Sequence, residues 1–196
     1  MKILTGSLKG RNIPFYPGKG PHDELLRPTS DKVRKAIFDT LREFVSGENV
    51  LDLYSGTGAM GLEALSQEAA FVVFVEKERE RAERIRKTTE EWGLSGRAEI
   101  FCQDAFISIK KLKSSQRNFG LIFADPPYGD VSGVRILTEL LGAELILENG
   151  FVVVETGKRE DLPEKIRDLI RIRDKKYGQT RIAIFQRQPQ DRRDNF

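Results

Sequence analysis

The chain has 196 residues, 39% hydrophobic and 32% charged, with a formal net charge of +3, which fits one globular domain and excludes a chain disordered throughout. No run approaches the roughly 18 apolar residues that span a bilayer, and Met1-Lys2-Ile3-Leu4 lacks the apolar core of a secretory signal, so a soluble protein in a cytoplasmic location is expected. With one cysteine and one histidine, an internal disulfide and a conventional His/Cys metal centre are excluded and no metal is expected; Cys102 reads as core and His22 as part of a solvated loop.

From Ile3 to Phe15, short apolar pairs broken by Gly6, Gly10 and Pro14 predict a small hairpin, and Pro17 to Pro28 reads as a loop. Thr29 or Ser30 then caps a helix whose Val33, Ile37, Phe38 and Leu41 recur at helical spacing. These features divide the chain into an extension, residues 1–28, and a main domain, residues 29–196, expected to form a single compact unit overall.

Strands are predicted at Val50 to Tyr54, Phe71 to Val75, Ala98 to Cys102, Phe119 to Ala124 and Phe151 to Glu155. Helices are predicted between them at Ala59 to Leu65, Glu78 to Trp92, Phe106 to Leu112 and Val134 to Leu147. This alternation predicts an α/β fold, a mostly parallel sheet with helices on both faces. The tail differs: Ile170 to Lys176 and Arg181 to Arg187 are separated by only four residues, which predicts an antiparallel pair.

Charge is unevenly distributed. Residues 1–35 carry 8 basic and 3 acidic side chains and residues 157–196 carry 12 and 7, so each end is net +5 and the middle is net −7. Basic ends around an acidic middle point to contact with a polyanion, although solvated surface charge has the same composition.

Asp52-Leu53-Tyr54-Ser55-Gly56-Thr57-Gly58 lies where the first strand turns into a helix, the place where open parallel sheets bind ligands. Glycines there let the backbone approach a ligand, and Glu76, at the end of the next strand, can accept hydrogen bonds from both ribose hydroxyls. Asp52 argues against a dinucleotide, because a carboxylate before the glycines repels a pyrophosphate and suits a cationic ligand. S-adenosylmethionine has an ammonium, a sulfonium and no phosphate. The expected cofactor is therefore S-adenosylmethionine, with S-adenosylhomocysteine as product.

Asp125-Pro126-Pro127-Tyr128 follows the apolar strand directly. An exocyclic base amine is a poor nucleophile because its lone pair is delocalised into the ring. The Asp125 carboxylate and the Pro126 carbonyl can accept its two hydrogens and turn the lone pair towards a sulfonium methyl. The consecutive prolines fix the backbone and remove competing donors. Tyr128 offers a face on which an unstacked base can lie, worth roughly 1–3 kcal/mol. A plain strand stop would also explain two prolines, but not the four-residue string at this place.

These two motifs resemble those of class I methyltransferases acting on amino nitrogens. Leu26-Arg27-Pro28-Thr29-Ser30-Asp31-Lys32-Val33-Arg34, Gly61-Leu62-Glu63-Ala64-Leu65-Ser66 and Gly6-Ser7-Leu8-Lys9-Gly10-Arg11 narrow the resemblance to the RsmD family, bacterial 16S ribosomal RNA guanine-N2 methyltransferases. The resemblance covers nearly the whole chain. It implies a Rossmann-like fold with a seven-stranded sheet whose last strand is antiparallel, and an N-terminal hairpin that assists RNA contact. It also implies a monomer acting on 16S rRNA within the small ribosomal subunit or its assembly intermediate. The cofactor set it implies is Asp52, Tyr54, Ser55, Gly56, Gly58, Glu76 on the ribose, and Asp104 with Ala105 beside the adenine; Asp104 also reads as a helix cap.

Lys9, Arg11, Arg27, Lys32 and Arg34 are candidate RNA phosphate contacts, although any one of them also reads as an ordinary surface charge. Two features depart from the family pattern. His22-Asp23-Glu24-Leu25-Leu26 adds length before Arg27, and Gln67-Glu68-Ala69-Ala70 lacks the usual glycine before the second strand. A DNA adenine-N6 methyltransferase would use the same chemistry but needs recognition structure for which this chain has little room. A protein glutamine methyltransferase fits the basic ends poorly. A non-catalytic RNA-binding module would not need Asp125 to Tyr128.

Overall fold

Ser30, in extended conformation, accepts the Val33 amide on its hydroxyl and starts helix α1 (Asp31–Leu41), satisfying a donor that has no partner inside the first turn. Val33, Ile37, Phe38 and Leu41, picked out by spacing, are all buried. The computed structural model describes residues 1–14, 30–127 and 132–189, which fall into two compact units, Met1–Ser108 and Ile109–Phe196. The expected loop from Pro17 to Pro28, with His22 and the boundary at residue 28, lies outside the described residues.

In the first unit, β1 (Asn49–Leu53), β2 (Phe71–Val75) and β3 (Ala98–Phe101) run parallel in the order β3-β2-β1. Helices α2 (Ala59–Ser66) and α3 (Arg79–Glu91) supply the crossovers that parallel neighbours require. Gly61 seats α2 directly against β2: a Cβ there would come within 2.2 Å of the Phe74 ring. Helix α2 ends with the Ala69 amide donating to the Ala64 carbonyl and the Glu68 amide to the Leu65 carbonyl. This pattern holds Glu68 at φ 68°, where glycine is the ordinary residue. The missing family glycine therefore leaves the turn intact but puts a side chain in a left-handed position.

The N-terminal segment folds back through an antiparallel bridge between Lys2 and Asn12 and buries Ile3 and Ile13. It is anchored on α2. The Leu4 amide (2.9 Å), the Thr5 amide (2.8 Å) and the Thr5 hydroxyl (2.9 Å) all donate to the Glu63 carboxylate.

Helix α4 (Ala105–Ser114) carries the chain into the second unit. There β4 (Phe119–Ala124) and β5 (Ile146–Gly157) are parallel, connected through α5 (Gly133–Gly142). The order continues from β5 to β8 (Thr180–Arg187), β7 (Leu169–Tyr177) and β6 (Lys165–Ile166), each pair antiparallel.

Three expectations are corrected. The described residues form eight strands, not seven, and both β8 and β6 run against β5; two-residue β6 is too short to leave an apolar signature. Helix α5 stops at Gly142 rather than reaching Leu147, because Glu144 adopts φ 56° and the Leu145 amide returns to the Leu140 carbonyl. Buried Leu145 thus belongs to the turn and Ile146 opens β5. Cys102, expected in the core, is exposed just beyond the end of β3. No helix among the described residues is long and apolar enough to cross a membrane.

Candidate functional site

The turn after β1 is built by backbone geometry that side chains rarely tolerate. Tyr54 (φ 61°), Gly56 (φ 55°) and Gly58 (φ 75°) are all left-handed. The Gly58 amide donates to the Ser55 carbonyl at 2.7 Å, closing the turn, and Gly58 then caps α2. A Cβ on Gly58 would approach Ile85 to 3.1 Å, so this glycine serves both conformation and packing.

Ser55 fastens the turn to its neighbours. Its hydroxyl donates to the Asp52 carbonyl at 2.6 Å and accepts the Val75 amide at 3.0 Å, while its own amide donates to the Val75 carbonyl at 2.9 Å. The side chain is 8% exposed and engaged in fastening the turn to β2.

Two buried carboxylates flank this turn. Asp52 accepts the Gly61 amide at 2.9 Å from the first turn of α2. Burial pushes its carboxyl up to about 7; the Gly61 bond opposes this and the neighbouring Glu76 adds to it. Glu76 accepts the Gly56 amide on Oε2 at 2.8 Å and the Glu78 amide on Oε1 at 2.9 Å. Its carboxyl is also raised, first by burial, against the pull of those two amides and of Arg81. Each oxygen accepts one backbone donor, leaving lone-pair capacity for ligand hydroxyls. An acid whose charged form is costly when empty is suited to a ligand that brings cations and hydroxyls.

Asp104 follows β3 and, through Oδ1, accepts the Phe106 amide at 2.8 Å and the Ile107 amide at 3.3 Å. It is therefore the cap of α4, as one of its two sequence readings had it, and it remains exposed. Ala105, next in chain, is 3% exposed. Within the first unit, Asp52 is the penultimate residue of β1, Glu76 follows β2 and Asp104 comes shortly after β3, all towards the carboxyl edge of this parallel sheet.

In the second unit, Asp125 leaves the carboxyl end of β4, whose six residues are all buried. Asp125 is half-buried, Pro126 is buried and Pro127 is exposed. Tyr128 lies outside the described residues, as does Arg27.

Of the remaining basic candidates, Lys9, Arg11 and Lys32 are exposed. The Arg11 guanidinium lies 5.5 Å from the centroid of the Trp92 ring, a cation–π contact that orients it. Arg34 is a correction. It is 0% exposed, and its guanidinium reaches the Lys2 carbonyl at 2.5 Å, Asp31 at 3.0 Å and Glu63 at 3.4 Å. It locks the N-terminal segment to α1 and α2 and is not presented to a polyanion.

Glu63 was not singled out from the sequence, yet it joins the N-terminal segment to the helix that follows the glycine turn. A signal was available: one acid in the otherwise uncharged α2 stretch Ala59 to Ser66. A charge on a wholly buried helix is retained only when paired.

The model of a family described as conserved hypothetical protein 95 matches residues 1–186. A Bacillus subtilis protein named "Putative rRNA methyltransferase YlbH" is 30% identical over 187 residues, covering 95% of this chain and 99% of that protein. Ribosomal RNA small subunit methyltransferase D of Escherichia coli strain K12 is 28% identical over 194 residues, covering 99% of this chain and 93% of its own length. A solved structure of the Escherichia coli protein yhhF superposes with a TM-score of 0.83 at 26% identity, covering 97% of this chain and 99% of that one.

Proposed function

This chain belongs to the conserved hypothetical protein 95 family, the family of the RsmD methyltransferases, and we propose that it methylates the exocyclic N2 amine of a guanine in 16S rRNA. The observation that carries the reading is the pair of buried carboxylates, Asp52 and Glu76, set around a left-handed glycine turn. Such a pair fits S-adenosylmethionine, with Asp52 facing its positive charge and Glu76 its ribose hydroxyls, and does not fit a pyrophosphate. Tyr54, Gly56 and Gly58 supply the turn against which that ligand lies, and Asp104 and Ala105 flank its adenine.

When bound, S-adenosylmethionine supplies an electrophilic methyl on sulfur. Asp125 and the Pro126 carbonyl each accept one hydrogen of the guanine amine and free its lone pair for in-line attack. Pro127 holds the backbone, and Tyr128 stacks on the base. The nitrogen–methyl bond forms as the carbon–sulfur bond breaks, and the nitrogen then sheds a proton to water. A strong base is unnecessary because that proton becomes acidic only after methylation; positioning supplies the main acceleration.

The similarity to rRNA methyltransferases over nearly the full chain and the basic ends support ribosomal RNA as substrate. Lys9, Arg11 and Lys32 are the proposed phosphate contacts of the N-terminal part, and Arg27 is retained from sequence alone. The test is transfer of labelled methyl to small ribosomal subunits lacking the modification, to naked 16S rRNA and to duplex DNA. Labelling of the ribosomal substrates supports the proposal; labelling of DNA alone, or of none, overturns it.

A further inference from the structure

The basic C-terminal part of the chain has no role in the chemistry above, and the second unit shows where part of its charge is gathered. Strand β5 ends at Gly157 opposite Thr180, and Lys176 stands opposite Arg181 across the β7–β8 pair. Lys158, Arg159, Asp161, Lys176, Gln179 and Arg181 line an open pocket of about 610 Å³ there. Four of the six are cations.

The floor of this pocket is tied down by hydrogen bonds. Arg181 is 7% exposed; it donates to both Asp174 carboxylate oxygens at 2.9 and 2.6 Å and to the Glu160 carbonyl. Its hydrogen bonds hold the Asp174 carboxyl below the usual carboxylate range. The Asp161 carboxylate lies 3.5 Å from Arg181 but is 99% exposed, so water and salt screen it. Glu160 is committed to the Gly133 amide at 2.6 Å.

The walls are different. Lys158, Arg159 and Lys176 are exposed and form no ion pair among the described residues. Asp161 in the lining and Asp174, which feels the charge of Lys176, offset part of this charge, but the cations outnumber them and raise the local potential for an anion. They come from two chain segments, the end of β5 and the end of β7, and line an open pocket of about 610 Å³, wide enough for a stretch of extended polyanion.

Position gives this charge a use. Ala124 pairs with Val154, so Asp125 leaves β4 at the same edge at which β5 delivers Lys158. Strand β7 lies three strands from β4, about 14 Å at the usual spacing. We propose that this pocket holds the phosphodiester backbone of the RNA strand beside the nucleotide presented at Asp125, with Lys158, Arg159 and Lys176 as the contacts. The inference rests on the RNA-methylating reading above and adds a second anchoring surface to it.

The test replaces Lys158, Arg159 and Lys176 together by Gln and measures binding of labelled 16S rRNA by fluorescence anisotropy across a salt series. The control replaces Arg42, Lys87 and Lys110, exposed cations elsewhere, removing the same charge. The pocket variant is expected to bind about tenfold more weakly at low salt, with a log–log salt slope shallower by about 2. The control should stay near the parent protein, and calorimetric affinity for S-adenosylmethionine should be the same in all three. Equal RNA affinity and slope in parent and pocket variant would overturn the inference while leaving the proposed function standing, as would equal losses in both variants. A parent protein that binds 16S rRNA no better than duplex DNA would overturn both.

Discussion

Replacing Asp52 by Asn is expected to stabilise the unliganded protein at neutral and alkaline pH while weakening cofactor binding. Burial raises the Asp52 carboxyl from 3.8 to about 7. Below pH 3.8 it is protonated folded or unfolded and costs nothing. As pH rises, the unfolded chain ionises first, so stability falls across the window from about 4 to about 7. At about 1.4 kcal/mol per unit, the loss approaches about 4 kcal/mol above that window. Asn keeps an acceptor for the Gly61 amide and carries no charge. Urea unfolding of both unliganded proteins should show similar stabilities at about pH 4 and a gap opening to about 4 kcal/mol, in favour of the variant, by about pH 8. A gap independent of pH, or a variant less stable at high pH, would refute the reasoning. In the parent, calorimetric affinity for S-adenosylmethionine should rise with pH up to about 7 and then level off, because the ligand requires the ionised form; the variant should lack this dependence.

Glu63→Ala takes the second carboxylate from the fully buried Arg34, leaving it only the Asp31 pair and the Lys2 carbonyl, and removes three hydrogen bonds from the N-terminal segment. A loss of about 3–5 kcal/mol is expected in denaturant unfolding, with faster amide exchange from Ile3 to Ile13. Glu68→Gly relieves a left-handed residue at the end of α2 and should raise stability by about 0.5–1 kcal/mol; a loss would show that the Glu68 side chain has a structural role. Asp125→Ala should abolish methyl transfer with cofactor affinity within about twofold of the parent, and near-normal activity would remove Asp125 from the chemistry.

What could be read from the sequence was what repeats or concentrates. Helical spacing located α1 and its buried face, and unbroken apolar runs located β2 and β4 to the residue. Asp52 and Glu76 drew notice because they stand beside the glycine turn, one just before it and the other about twenty residues on, and the structure shows both buried there. What escaped depended on tertiary partners. Arg34 resembles a surface cation until Glu63, Asp31 and the Lys2 carbonyl are brought around it. Ser55 sits in the glycine turn after β1, yet the Asp52 and Val75 backbones take up its hydroxyl. Helix α5 ended early because a glutamate took the left-handed position where a glycine would have announced the stop. The pocket around Arg181 joins residues about twenty positions apart, and only the register of β5, β7 and β8 assembles it.

The central claim, methylation of a guanine amine in ribosomal RNA, is tested most directly by the identity of the product. 16S rRNA treated with the enzyme and isotopically labelled S-adenosylmethionine, then digested to nucleosides and resolved by mass spectrometry, is predicted to carry the label in N2-methylguanosine. Label in N6-methyladenosine, in a ribose methyl or in no nucleoside would contradict it.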